Sequence, residues 1–185
     1  MDSRTSDTAS KSLQKPDARV EIMTEISLPD MNDLCDAAAL AIDNGGGFGW
    51  LRRPERDSME NFWRGVIAMP LRHLLIARLD GVICGAAQIV MPPPNNEAQA
   101  HAVHLVSVFL APWARGHGLA RRLVERAEAK ATSDGFKLVN LDVRETQQAA
   151  INLYESLGYQ QYGLHPHYAE IDGTPIKGYY YFKAL

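Results

Sequence analysis

Residues 108–122 read Val-Phe-Leu-Ala-Pro-Trp-Ala-Arg-Gly-His-Gly-Leu-Ala-Arg-Arg. The apolar opening is the end of a strand, Pro112 stops it, Arg115-Gly116-His117-Gly118 turns the chain, and apolar residues then return at helical spacing. Glycines at 116 and 118 permit left-handed backbone angles and remove the Cβ atoms that would block a close approach. The first amides of the new helix have no carbonyl behind them, and the helix dipole is positive at that end. Together they make a point suited to a phosphate or pyrophosphate. The spacing fits neither a Walker A loop nor the three-glycine dinucleotide fingerprint. An anion site and an ordinary strand-to-helix turn both remain open for this segment by itself.

Working outward, residues 101–110 alternate as the strand that feeds the turn, and Leu119, Leu123, Ala127 and Ala131 mark an amphipathic helix over 119–133. The breaker Asp134-Gly135 follows, then a nearly apolar strand over 137–143. A strand, turn, helix, strand succession calls for a right-handed crossover and a locally parallel pair. Upstream, 73–90 forms a hairpin about Asp80-Gly81. A strand over 19–24, a helix over 29–43 and a helix after Asp57-Ser58 come before it. Between those helices lies a glycine loop carrying Phe48 and Trp50, which serve either to line a substrate site or to pack the loop. Downstream, Ala150, Leu153, Tyr154 and Leu157 define a helix that Gly158 ends. The segments 159–163 and 179–183 supply two last strands joined by a long loop. Residues 1–18 read as a flexible tail and 19–185 as one domain.

With 185 residues the chain has enough length for one well-filled core. A formal net charge of -3 gives no electrostatic case for a nucleic acid or membrane partner. Cys35 and Cys84 lack metal-ligand spacing and are expected as buried free thiols. No apolar run reaches the length of a membrane span and no signal-peptide core is present, so a cytoplasmic protein is expected. A homodimer is compatible with the sequence.

Arg115, Gly118 and Ala120 resemble motif A of the GCN5-related N-acetyltransferases: Arg or Gln, two residues, Gly, one residue, Gly or Ala. Residues 147–159, Gln-Gln-Ala-Ala-Ile-Asn-Leu-Tyr-Glu-Ser-Leu-Gly-Tyr, resemble motif B of the same family, in the right order and at a sensible separation. The resemblance implies an α/β (α+β) acetyltransferase fold. That fold is a mixed, mostly antiparallel sheet of six to seven strands with a central splayed parallel pair, flanked by about four helices. It also implies acetyl-CoA as co-substrate and no metal. By the same resemblance, main-chain groups near Val108 and Leu110 would pair with the pantetheine arm. The turn from Arg115 through Gly116, His117, Gly118 and Leu119 to Ala120 would take the pyrophosphate. Gln147 stands where many members carry an asparagine that contacts the coenzyme.

Acetyl transfer to an amine needs a neutral nucleophile, a polarised thioester and a proton for the departing thiolate. Tyr154 matches the family tyrosine that faces the sulfur, although a core role also suits its position. His104 is the first choice of base because its ordinary pKa lies near neutrality, Asp142 is the second, and each has a structural alternative. Strand alternation places His104 on one face with Val106 and Val108. The C-terminal run, with His165, His167 and Tyr168 in a loop near the acceptor, is similar to that of the tabtoxin resistance subgroup. That subgroup has a glutamate where His104 stands. The implied acceptor is a small polar amine, either an amino-acid-like metabolite or a toxin or antibiotic. A protein N-terminus or lysine, or a coenzyme sensor without turnover, are the rival readings.

Overall fold

A computed structural model describes residues 15–46 and 48–185, so the expected tail lies outside the described residues as far as residue 14. Asp17 is already held: its N–H donates to the Asp80 carboxylate at 2.9 Å and its carbonyl accepts from the Asp80 N–H at 2.8 Å.

Among the described residues seven strands form one sheet: β1 (Ala18–Met23), β2 (Arg72–Leu79), β3 (Val82–Val90), β4 (Ala102–Leu110), β5 (Leu138–Arg144), β6 (Gln160–Ile171) and β7 (Thr174–Ala184). Their order is β1-β2-β3-β4-β5-β7-β6, and β4–β5 is the parallel pair that the crossover demanded. Helices α1 (Leu28–Asp43) and α2 (Arg56–Ala68) cover one face, and α3 (Leu119–Ser133) and α4 (Gln148–Ser156) the other. The Ser27 hydroxyl caps α1 by accepting from the Asp30 N–H at 3.2 Å, with Pro29 in the first turn where its missing N–H costs nothing. Ala37, Ala38 and Ala41 are buried on α1, so its backbone can lie close to the sheet. Cys35 and Cys84 are buried free thiols, and burial pushes both up to about 11.

Two departures from regular pleating position the site. β4 and β5 pair only through Ala102–Leu138, Val103–Val139 and His104–Asn140, after which the strands separate. In β4, Ala86 faces Phe109 while Gln88 faces Val106, so one extra residue is accommodated around Ser107, whose φ is +54°. A non-glycine residue held there costs about 1–3 kcal/mol. The bulge reverses the side-chain parity of the strand. Leu105, Val108 and Leu110 all pack toward α3 and α4, while Phe109 joins the α1–α2 core. Val108 is therefore on the opposite face from Val106, contrary to strict alternation.

The hairpin at the C-terminal end is another correction. β6 and β7 are continuous and close through Asp172-Gly173, with φ of +49° and +75°, where the sequence suggested short strands and a long loop.

Gly85 lies against the end of β4, and a Cβ there would overlap the Phe109 carbonyl and the Leu110 side chain. Gly85→Ala is expected to lower stability by about 1–3 kcal/mol, as overpacking does. Denaturant unfolding checks this, and an unchanged midpoint would show that β3 and β4 have room to spare.

Candidate active site

Where β4 separates from β5 lies a cavity of about 570 Å³ lined by residues from both faces of the sheet. Tyr154 and Ala150 of α4 line it on the α3–α4 face, and Asp142, Phe48 and Tyr168 line it from the other. The odd residues of β5, Val139, Leu141 and Val143, are buried toward α3 and α4, which turns Asp142 and Arg144 to the opposite face. Because the Ala111 N–H bonds to the Cys84 carbonyl at 2.7 Å, alternation turns the main-chain groups of Leu110 and Val108 away from β3, toward the opening.

Beyond Leu110 the chain makes one short helical turn at Pro112–Ala114, then reaches Gly116 at φ +84° and Gly118 at φ +73°. Gly118 is the N-cap of α3, and the Arg122 N–H, at 3.2 Å from the Gly118 carbonyl, is the first that bonds back. Among the described residues, the amides of Gly118, Leu119, Ala120 and Arg121 have no acceptor. Arg115, Gly116 and His117 are exposed beside them, Leu119 is buried, and Ala120 is half-buried. Four open amides, two left-handed glycines and a 15-residue helix behind them form an anion-binding geometry.

Tyr154 is 5% exposed and meets Tyr159 edge to face at 5.7 Å. Burial, with a smaller contribution from the Asp142 charge, pushes its phenol well above the ordinary tyrosine range, so it keeps its proton near neutrality. The Tyr168 hydroxyl donates to the Asp142 carboxylate, and burial and that bond push the Tyr168 phenol up as well. Tyr168 reaches Asp142 because β6 is bulged between His165 and Ala169, and because Gly178 opposite has no side chain. A Cβ at Gly178 would overlap the Tyr168 side chain, 2.2 Å from its Cγ.

The other sequence candidates divide. His104 is exposed where β4 and β5 are still paired, and it is not part of the cavity wall. Phe48 is in the wall and stacks on Phe109 at 4.8 Å, whereas Trp50 packs behind it on Phe62 at 4.9 Å. His165 and His167 lie on strand β6 rather than in a loop, outside the wall, with the His167 N–H donating to His165 Nδ1 at 3.1 Å. Gln147 is in the wall, but its Nε2 donates to the Gly45 carbonyl at 2.7 Å. The bulge at Ser107, and the wall contributions of Arg144 and Glu170, were not foreseen. Gly85 was the one available hint of the bulge, since a glycine inside a strand often marks a close backbone approach. Among the described residues no group of three or more His, Cys, Asp or Glu could hold a metal ion, and no helix is long and apolar enough to cross a membrane.

Comparison with known proteins gives the following. A family model described as "Acetyltransferase (GNAT) family" matches residues 37–159. A protein of Azospirillum brasilense named "Uncharacterized N-acetyltransferase in hisH-hisA intergenic region" is 54% identical over 132 residues, 71% of this chain and 79% of its own length. The N-alpha-acetyltransferase RimI of Mycobacterium tuberculosis is 33% identical over 112 residues, 58% of this chain and 65% of its own. The structure of yncA, a putative acetyltransferase from Salmonella typhimurium with its cofactor acetyl-CoA, superposes with a TM-score of 0.73. Its sequence identity is 18%, over 91% of this chain and 94% of that one.

Proposed function

Given that the chain belongs to the GNAT family of acetyltransferases, we propose that it moves the acetyl group of acetyl-CoA to a small polar amine by direct transfer. The observation that carries the coenzyme assignment is the set of open amides from Gly118 to Arg121, in the turn that leads from β4 into α3. The amides around Gly116 and Gly118 would hold the pyrophosphate, with Arg115 and His117 beside it. The main-chain edge at Val108 and Leu110 would hold the pantetheine arm. Acetyl-CoA would supply the activated acyl group, and a main-chain N–H near Leu110 would polarise its carbonyl.

The protein's own part is proton traffic. Asp142, oriented by the Tyr168 hydroxyl, takes the proton from the incoming ammonium directly or through water. Tyr154, on the other side of the opening, holds the proton that the departing thiolate requires. Asp142 is preferred to His104 as the base because it is in the cavity wall and His104 is not. On the acceptor side the wall carries Asp142, Arg144 and Glu170 beside Phe48, a mixed-charge lining that suits a polar amine. The sequence likeness of the C-terminal hairpin to the tabtoxin resistance subgroup points the same way, toward an amino-acid-like acceptor. The likeness to RimI favours a second reading, a protein N-terminus as acceptor.

Thioester consumption with a panel of amino acids, polyamines, aminoglycosides and N-terminal peptides separates these readings. Rapid turnover of a small amine with none of a peptide is expected; the reverse establishes the second reading. With that amine, Asp142→Asn is expected to lower kcat/KM about 100-fold and His104→Gln less than twofold. The opposite ranking returns the base to β4.

A further inference from the structure

At the family position where an amide side chain would contact the coenzyme, the Gln147 amide instead donates to the Gly45 carbonyl at 2.7 Å, 102 residues away in sequence. That carbonyl also accepts from Arg144 Nη2 at 3.3 Å. Both donors come from the junction between β5 and α4, and the acceptor comes from the chain just beyond α1. Gly45 has φ +76°, and its own N–H bonds back to the Ile42 carbonyl at 2.9 Å, while the Gly46 N–H bonds to the Ala41 carbonyl at 2.8 Å. The turn is thus fixed from α1 on one side and from Gln147 and Arg144 on the other. What it carries forward is Phe48, whose ring stacks on Phe109 and forms part of the cavity wall on the acceptor side.

Resting on the acetyltransferase reading, we propose that Gln147 is a positioning residue for the acceptor rather than a coenzyme ligand. Its amide latches the glycine loop to the start of α4 and so sets where Phe48 stands. The chemistry agrees with this assignment. A glutamine is one methylene longer than the asparagine usual at this place, and one of its two amide hydrogens is already given to a backbone carbonyl. Pulling it toward the coenzyme would leave the Gly45 carbonyl with the longer Arg144 bond alone.

Gln147→Glu tests this, because it keeps the shape and replaces the donor by a carboxylate that cannot bond a carbonyl. Coenzyme A affinity by calorimetry is expected within twofold of the parent, and hydrogen exchange at the Gly45 and Gly46 amides at least tenfold faster. With the best amine of the panel, the KM for the amine should rise about tenfold while the KM for acetyl-CoA holds within twofold. A tenfold loss of coenzyme A affinity, or unchanged exchange at both glycines, overturns the proposal. Failure of the acetyltransferase reading is seen separately, as a parent protein that binds no coenzyme A, and the exchange comparison still decides the latch.

Discussion

Replacing Gly118 by glutamate is expected to weaken acetyl-CoA binding about 1,000-fold, equivalent to about 4 kcal/mol. The substitution acts on two things at once. A side chain at φ +73° is strained by about 1 kcal/mol, and a carboxylate is placed among the open amides proposed to hold the pyrophosphate. Nothing lies within 4 Å of a Cβ at this position, so the fold has no steric reason to fail. Gly118→Ala separates the contributions, because it keeps the strain and adds no charge; about a tenfold loss is expected for it. Calorimetric titration of both variants reads the difference. Equal losses would mean that backbone geometry, not charge, sets affinity at the turn.

Tyr154→Phe is expected to lower kcat about 1,000-fold while leaving acetyl-CoA affinity within twofold. Removing one hydroxyl from a side chain that is 5% exposed changes packing little, so the ring still meets Tyr159 and the helix face is kept. What disappears, on the mechanism proposed, is the proton held for the departing sulfur, a contribution of about 100- to 10,000-fold where general acids have been removed. Burial and the neighbouring Asp142 charge keep that phenol protonated well above neutral pH. The loss should accordingly be present across the range from about pH 6 to pH 9, not confined to one limb. Turnover within twofold of the parent at every pH would remove Tyr154 from the chemistry and leave it a core residue.

Much of this was legible in the sequence because the informative residues act through the backbone. Gly116 and Gly118, spaced between a proline-stopped strand and a helix, allow the left-handed turn, Asp80-Gly81 closes β2 on β3, and the crossover through α3 makes β4 and β5 parallel. Tyr154 entered through the family resemblance and Asp142 as the second candidate base on the fifth strand, and both line the opening, from opposite faces of the sheet. The misplacements came where a strand broke its own period. The extra residue at Ser107 cannot be seen in an alternating apolar run, and it moves Val108 across the sheet. The bulge between His165 and Ala169 likewise depends on Gly178 in another strand, so His165, His167 and Tyr168 read as a loop. Gln147 is a case of distance: its partner is 102 residues away, and no local pattern carries that information.

The most direct test follows the backbone amides of Gly118, Leu119 and Ala120 by NMR while coenzyme A is added to the 15N-labelled protein. Large shifts at these three amides, saturating at one coenzyme per chain and absent in Gly118→Glu, are the expected result. Binding that leaves all three unmoved, or no binding by folded protein, would contradict the assignment of this turn to the pyrophosphate.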